Sequence, residues 1–322
     1  MRKDAGFPMV NTLFRALFPA IFAAALGWVA ARAGYVKRDQ AQAFGGFVMR
    51  FALPCALLAA ILNMSVSQMP TVGYMLCMLA GFLGTYIIAV LVGRSLFRND
   101  LSTSALQGLL CAFPSMAFSG VPILTSLEGP RGLIPIIVGN LISSFVLIPV
   151  TLILVEVGLR SNAGTSARPF ELLQKSIVHS AKEPIVWLPL LGGALKLCNI
   201  HLPAGVLQAV NLVGNASAGT GLFVVGIMLY GAKLTFSREL VTNTVLKNIA
   251  QPVLFAAVIP FFGIAAISHS RELILTGAIP AATTSSIIAL RYQKYVTEAT
   301  ATIVASTLFS VVTIAAAIIM TH

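Results

Sequence analysis

The sequence predicts an all-α membrane protein with ten transmembrane helices, arranged as two inverted five-helix repeats with broken, crossed helices 4 and 9. Three observations lead to this fold class. Of the 322 residues, 57% are hydrophobic and only 10% are charged, whereas soluble domains carry roughly a quarter charged residues. The apolar residues divide into ten long runs, and the runs of the two halves correspond in spacing. This composition disfavours a soluble enzyme, a nucleic-acid-binding protein and a disordered scaffold.

The ten runs are predicted spans because a membrane helix needs about 20 mostly apolar residues. The runs end at clusters of charge, Gly, Pro or Asn, and they cover residues 12–33, 42–62, 71–96, 103–126, 132–158, 184–200, 205–232, 240–267, 272–290 and 297–320. The first run follows Met1-Arg2-Lys3 and so resembles a secretory signal. It extends to about Ala33, which is longer than a cleaved segment usually is, and we interpret it as a retained span.

The positive charge of the chain indicates its topology. There are 21 Lys and Arg against 10 Asp and Glu, which gives a net charge of +11. Most of these cations fall in the odd-numbered loops between the predicted spans. Because positive loops stay in the cytoplasm, we expect a multi-pass membrane protein with both termini on the side away from the cytoplasm. The basicity is therefore mostly a topology signal and does not indicate nucleic acid, while the apolar spans predict the lipid bilayer as a partner.

An internal repeat follows from the spacing of helix breakers. Gly27 and Gly193 differ by 166 positions, as do Pro114 and Pro280, and the same shift carries each span of the first half onto one of the second. Five is an odd number, so the second half must enter the membrane from the opposite side. The predicted domains are a first repeat over 1–158, a cytoplasmic linker over 159–183 and a second repeat over 184–322. Inverted repeats of this kind are typical of secondary transporters.

Two of the predicted spans contain matching breaks. The fourth reads F-P-S-M-A-F-S-G-V-P over 113–122, and the ninth reads I-P-A-A-T-T-S-S-I over 279–287. Proline removes a backbone donor, and in lipid a broken helix is tolerated only where protein or a water-filled cavity satisfies the freed groups. Paired discontinuous helices indicate a midplane site whose helix N-termini suit an anion such as a carboxylate. The alternative is that the hydroxyl groups only bond a kinked backbone.

Eleven residues, at these two breaks and in the second and fifth spans, are predicted to bind substrate. They are Arg50, Pro54, Pro114, Ser115, Met116, Ser119, Asn140, Pro280, Thr283, Thr284 and Ser285. Two interpretations of Arg50 stay open: its guanidinium binds a carboxylate, or it reaches the membrane surface from its place near the end of the second span. The four histidines show no metal-ligand spacing, and hydrolase and ATP-binding motifs are absent. We therefore predict no catalytic residue, no metal site, no cofactor and no enzyme activity.

Several segments resemble the auxin efflux carrier family of membrane transporters. They are L-G-W-V-A-A-R-A-G-Y-V at 26–36, F-V-M-R-F-A-L-P-C-A-L-L at 47–58, F-P-S-M-A-F-S-G-V-P-I-L at 113–124, V-G-N-L at 138–141 and A-I-P-A-A-T-T-S-S-I-I-A-L-R-Y at 278–292. The resemblance covers nearly the whole chain, in the order of the family. It implies a ten-helix fold similar to that of bile-acid sodium symporters, and substrates that are organic anions, including auxin in plants and malonate in bacteria.

The resemblance also assigns individual positions. It implies that Pro114 and Pro280 form the crossover and that Asn140 corresponds to the asparagine of the fifth helix. Ser115 departs from the pattern, because family members commonly have Asn after the first crossover proline. A substrate assignment that depends on that amide therefore does not carry over to this chain.

The leading hypothesis is a malonate-transporter-like secondary carrier that moves small organic anions, such as malonate or other carboxylates, across the bacterial inner membrane. Both termini would be periplasmic, and access would alternate around a midplane crossover site. The alternative is a sodium-coupled symporter of bile-acid-like organic anions. A membrane sensor or intramembrane enzyme is a third hypothesis, which the missing catalytic motifs disfavour. A co-transported proton or sodium ion, and a homodimer, stay open as partners.

Overall fold

The computed structural model describes residues 6–64, 70–163, 174, 177–178, 181–231, 236–264 and 267–321. The regular secondary structure of these residues is helical, apart from one isolated bridge between Pro114 and Ala281. Most of the predicted linker, residues 164–173, 175–176 and 179–180, lies outside the described residues. The boundaries of the two repeats therefore stay a prediction.

The helices of the first half overlap the first five predicted spans. They are α1 (Gly6–Arg32), α2 (Ala41–Phe47), α3 (Leu53–Asn63), α4 (Val72–Ser95), α5 (Leu101–Ala112), α6 (Val121–Glu128), α7 (Leu133–Ile142) and α8 (Ile148–Ala163). π-helical turns at Val48–Ala52 and Ser143–Leu147 join α2 to α3 and α7 to α8. The N-termini of α4 and α5 are capped by Thr71 and Asp100, whose side chains accept from backbone amides three residues on.

The helices of the second half overlap the other five predicted spans. They are α9 (Pro184–Leu197), α10 (Ala204–Leu229), α11 (Arg238–Val245), α12 (Gln251–Val258), α13 (Ile267–Ala278), α14 (Thr283–Arg291) and α15 (Val296–Met320). Ser237 caps α11, and a π-helical turn at Leu246–Ala250 joins α11 to α12.

Six helical segments of the described chain are long and apolar enough to cross a membrane. They are Ala41–Asn63, Val72–Ser95, Met116–Leu159, Ala204–Leu229, Arg238–Phe262 and Val296–Met320. A straight helix of 44 residues, the length of Met116–Leu159, would measure roughly 66 Å, about twice the hydrocarbon thickness. The chain turns within this segment at Gly129, where φ is +61°. The protein is thus an all-helical, multi-pass membrane protein, while the ten-helix inverted repeat stays a prediction.

Two bundles organise these helices. The first, which we call the glycine bundle, consists of α1, α2, α3, α9 and α10, with α10 packed on both α1 and α3. The second, which we call the polar bundle, consists of α4, α5, α8 and α11 to α15. The short helices α6 and α7 contact both bundles.

The glycine bundle is held by close backbone approach. A Cβ atom at Gly226 of α10 would lie 1.9 Å from the carbonyl oxygen of Ala24, and one at Gly27 of α1 would lie 2.0 Å from that of Phe223. Neither site has room for a methyl group, so the two helices meet at their main chains. Small residues allow such contacts in membranes, where van der Waals packing rather than hydrophobic burial holds helices together.

The polar bundle is held by buried hydrogen bonds between side chains. Gln107 of α5 donates to Oδ1 of Asn243 at 2.8 Å, and Nδ2 of Asn243 donates to the hydroxyl of Tyr295 at 2.8 Å. Asn248 donates to the carbonyl oxygen of Ser306 at 3.0 Å, and the Ser306 hydroxyl donates back to Oδ1 of Asn248 at 2.6 Å. These bonds connect α5, α11 and α15 in the interior of the bundle.

Candidate functional site

The two helix breaks meet in space. The helix α5 ends at Ala112 and α13 ends at Ala278, and an extended segment follows each. The amide of Ser115 donates to the carbonyl oxygen of Pro280 at 2.8 Å, and the amide of Ala282 donates to that of Phe113 at 2.9 Å. The two breaks therefore form a short antiparallel bridge, which we call the crossover.

The two prolines explain why the chain is extended here. Pro114 and Pro280 have no N–H, and proline disfavours helical dihedrals at the residue before it. Phe113 accordingly adopts φ −92° and ψ 108°, which belong to the extended region. The bridge pairs the backbone groups that the break frees, as a membrane interior requires.

Each break is followed by a helix N-terminus without a side-chain cap. Neither Ser115, before the turn Met116–Gly120 that leads into α6, nor Ala282, before α14, makes a capping hydrogen bond. The first amides of a helix have no acceptor within the helix, and the N-terminus carries a partial positive charge. The first residues of both helices line the same cavity at the crossover.

A small cavity lies at these termini. Its volume is about 20 Å³, which is enough for about one water molecule. It is lined by Met49, Phe113, Pro114, Ser115, Met116, Ala117, Phe118, Asn140, Ala282, Thr283 and Thr284. The structure thus holds the crossover in a closed conformation, with no room for an organic anion.

The structure brings six of the eleven predicted residues to this cavity: Pro114, Ser115, Met116, Asn140, Thr283 and Thr284. Pro280 contributes its carbonyl oxygen to the bridge. Ser119 and Ser285 are buried in the helices that begin at the crossover, and the Ser285 hydroxyl has no hydrogen-bond partner among the described residues. Asn140 donates to the carbonyl oxygen of Ile136 at 2.9 Å, so its side-chain oxygen is free to accept from another donor.

The remaining two predicted residues lie outside the cavity. Pro54 is buried in the first turn of α3. Arg50 is exposed, while its neighbour Met49 lines the cavity. The helix α3 continues from the π-helical turn that carries Arg50, and both interpretations of this arginine stay predictions.

Sequence reasoning missed two polar residues near the crossover. The hydroxyl of Ser306 accepts from the amide of Ala281 at 3.0 Å, and Lys247 is fully buried in the turn between α11 and α12. A signal for Lys247 existed, since a lone charge within an apolar run is by default a functional candidate. Ser306 gave no comparable signal, because hydroxyl groups are frequent in membrane helices.

Comparison with known proteins decides the family. The family model described as "Membrane transport protein" matches residues 12–318. The chain belongs to the membrane transport protein family. This is the family of the auxin efflux carriers, so the predicted relationship is confirmed. The chain is accordingly a membrane transporter and not an enzyme.

Three relatives illustrate the range of the family. The chain is 29% identical to "Uncharacterized transporter YfdV" of Escherichia coli, over 92% of this chain and 94% of the relative. It is 24% identical to the "Lysosomal cholesterol signaling protein" of Mus musculus, over 94% of this chain and 36% of that protein. It is 20% identical to the "Putative malonate transporter" of Rhizobium meliloti, over 83% of each chain.

Proposed function

We propose that this protein is a secondary active transporter that carries small organic anions, malonate and related carboxylates, across the bacterial inner membrane. The observation that carries this proposal is the pair of uncapped helix N-termini at the crossover. Each terminus is equivalent to roughly half a positive charge, so the two together match one carboxylate. The name of the Rhizobium meliloti relative supports malonate as the first substrate to test.

The groups around the cavity suit carboxylate oxygens. Among the first-turn amides of the helices that begin at Met116 and Thr283, that of Met116 donates to the carbonyl oxygen of Pro114 at 2.8 Å and that of Ser285 to the carbonyl oxygen of Ala282 at 3.1 Å. The amides of Ala117, Phe118, Thr283 and Thr284 are left to donate to a ligand. Thr283, Thr284 and Ser115 add neutral hydroxyl donors, and all three line the cavity. Site residues of these types bind an anion by directed hydrogen bonds.

The proposed architecture is ten spans in two inverted repeats. An axis in the membrane plane makes equivalent segments run antiparallel, and the pairing of Pro114 with Ala281 is antiparallel. The two breaks occur 166 positions apart in sequence. Both facts support an inverted relation between the halves.

The proposed orientation places both termini in the periplasm. Asn99 donates to Glu239 at 3.0 Å, and Asp100 forms an ion pair with Lys294. These contacts join three loops that the charge distribution assigns to the cytoplasm, which supports the predicted topology.

Transport requires the closed crossover to open alternately to each side. The cavity lies where the bundles meet. Met49 comes from the turn between α2 and α3, Asn140 comes from α7, and the other lining residues belong to the two breaks and the helix starts that follow them. The helix α10 approaches closely here: a Cβ atom at Gly221 would lie 3.2 Å from Cα of Phe118. We propose that the polar bundle moves against the glycine bundle along this contact.

Uptake of radiolabelled malonate into proteoliposomes tests the proposal. Pro114→Ala and Pro280→Ala restore a donor within each break and should reduce uptake to the level of empty liposomes while the proteins stay monodisperse. Pro19→Ala is the matched control, because Pro19 lies inside α1 and is exposed. Wild-type rates in both crossover variants would contradict the crossover site. A purified protein whose melting temperature responds to no organic acid, and which takes up no malonate, would contradict the function.

Arg50→Gln decides between the two roles of this residue. Loss of a bidentate contact with substrate should raise the KM for malonate at least tenfold, because a hydrogen bond to a charged group contributes about 1.5–3 kcal/mol. An unchanged KM would assign Arg50 to the membrane surface.

A further inference from the structure

A buried lysine connects the C-terminal ends of the two half-helices at the crossover. Lys247 is 0% exposed and lies in the turn Leu246–Ala250. Its ammonium group donates to the carbonyl oxygen of Gly277 near the end of α13, at 3.0 Å, and to Oε1 of Gln251. Gln251 donates in turn to the carbonyl oxygen of Ala112, the last residue of α5, at 2.8 Å. Lys247 and Gln251 thus bind the ends of both half-helices.

No carboxylate pairs with this ammonium among the residues that the structure describes. A buried charge without compensation is very costly. The compensation available here is the pair of helix C-termini, each equivalent to roughly half a negative charge. Carbonyl groups at such half-helix ends are the ligands that coordinate sodium ions in transporters with discontinuous helices. The ammonium of Lys247 therefore lies among oxygen ligands of the kind that coordinate sodium in such transporters.

The titratable groups around Lys247 are few. The helix α5 contributes Cys111, a buried thiol whose sulfur lies 3.7 Å from Oδ1 of Asn243. The helix α13 carries Glu272, which lies 3.5 Å from the hydroxyl of Tyr74 on α4. The helix α12 has no titratable residue in its sequence, and Glu239 at the start of α11 accepts from Asn99. The helix α15 presents Ser306 to this turn, through Asn248.

We propose that Lys247 is the internal cation of this transporter: its ammonium fills the position of a co-transported sodium ion, and its proton is the ion coupled to anion transport. The inference rests on the proposed function. The anion site lies at the helix N-termini that follow the two breaks, and Lys247 lies at the helix C-termini that precede them. A bound carboxylate therefore stabilises the ammonium by electrostatic attraction. Linkage is reciprocal: anion binding draws a proton onto Lys247, and when the anion leaves, –NH₃⁺ becomes –NH₂ and releases H⁺ to water.

Proton uptake on binding is the direct test. Malonate binding to the purified full-length protein is measured by titration calorimetry in buffers of different ionisation enthalpy, without sodium. The wild type should take up as much as about one proton per malonate, whereas Lys247→Met should take up none. Lys247→Arg serves as a second variant that keeps the charge but cannot release its proton; it should bind malonate without proton uptake.

Two control variants make the result specific. Lys196 is a half-buried lysine that also donates to a backbone carbonyl near a helix end, that of Leu62 at 2.9 Å, and Lys196→Met should keep wild-type proton uptake. Glu272→Gln removes the buried carboxyl group of α13 and should also keep wild-type proton uptake. Proton uptake that persists in Lys247→Met and Lys247→Arg, or that disappears in Glu272→Gln alone, would overturn the proposal.

A second experiment does not depend on the substrate. Lys247→Ala leaves the oxygens of Gly277 and Gln251 around the space of the ammonium group, so sodium chloride should raise its melting temperature relative to potassium chloride. The wild type and Lys196→Ala should not respond. Sodium stabilisation of the wild type, or no response in Lys247→Ala, would overturn the placement of Lys247 at a sodium position. If the wild type binds no malonate, the proposed function fails, and this sodium test still decides the role of Lys247.

Discussion

The two bundles of this transporter are held together by different chemistry. The glycine bundle joins α1 to α10 through main-chain contacts at Gly27 and Gly226, which form no polar network. The polar bundle joins α5, α11 and α15 through buried amides and hydroxyls. Close packing makes a rigid support, whereas directed hydrogen bonds fix the position of particular backbone groups, those of the crossover among them. The hydrogen bonds of the polar bundle therefore fix the position of the crossover, and the close packing of the glycine bundle does not.

Gly226→Val should have the largest effect on stability, and it tests the close contact between α1 and α10 in the glycine bundle. The added side chain would collide with the carbonyl oxygen of Ala24, because even a Cβ atom would lie 1.9 Å away. We expect a loss of about 3 kcal/mol of stability, measured as a large fall in melting temperature and in monodisperse yield. Gly219→Val on the same helix is the control, since nothing lies within 4 Å of its Cβ position. Equal losses in both variants would contradict the close contact.

Ser306→Ala tests the polar bundle. The change leaves the amide of Ala281 and Oδ1 of Asn248 without the hydroxyl that each contacts. An unsatisfied buried group costs about 1–3 kcal/mol, and we expect a loss of about 2 kcal/mol, together with slower malonate uptake. Ser310→Ala provides the comparison, because Ser310 donates only within its own helix, to Thr307. If both serine variants melt alike, the hydroxyl does not hold the crossover.

Thr284→Val separates binding from stability. Thr284 lines the cavity, and loss of one hydrogen bond to an anion costs about 1.5 kcal/mol, or about tenfold in Kd. We expect weaker malonate binding by titration calorimetry at an unchanged melting temperature. Ser286→Ala, whose hydroxyl donates to the carbonyl oxygen of Thr283, should bind malonate as the wild type does. A wild-type affinity in Thr284→Val would remove this hydroxyl from the site.

Asp100→Asn should have the smallest effect. Burial raises the pKa of Asp100, but hydrogen bonds from Lys294 and Thr103 lower it more, so the pKa lies below its usual value. The pair therefore stabilises the protein above the unfolded pKa of about 3.9, and the contribution is lost as the pH falls through the folded pKa. Because the pair is partly exposed, we expect about 0.5 kcal/mol.

The measurement for Asp100→Asn compares melting temperatures of variant and wild type at pH 7 and at low pH. The difference should be present at pH 7 and shrink as the pH is lowered. Asparagine caps a helix as well as aspartate does, so the variant isolates the charge. A difference that grows toward low pH would contradict the assigned direction.

Local chemistry explains what the sequence could predict. Pro114 and Pro280 break helices wherever they occur inside them, so the breaks and the flanking hydroxyls of Thr283 and Thr284 were predictable. The family followed from the same segments. The helical runs were also predictable, because apolar length is a property of the chain itself.

Contacts between distant segments explain what the sequence could not predict. Lys247 lies 30 positions from Gly277, and nothing local identifies that carbonyl as its partner. Met49 lines the cavity only because α2 and α3 pack beside the crossover. Gly226 gave no sign that Ala24 lies against it, since glycine is common in membrane helices for several reasons.

The bridge at the crossover consists entirely of main-chain atoms. One hydrogen bond runs from the amide of Ser115 to the carbonyl oxygen of Pro280, and the other from the amide of Ala282 to the carbonyl oxygen of Phe113. Every residue supplies a backbone carbonyl, and every residue except proline supplies an amide. Side chains around the cavity can therefore be exchanged during evolution without loss of the crossing. A lineage that keeps the two prolines can thus change its preferred substrate one side chain at a time, on an unaltered backbone.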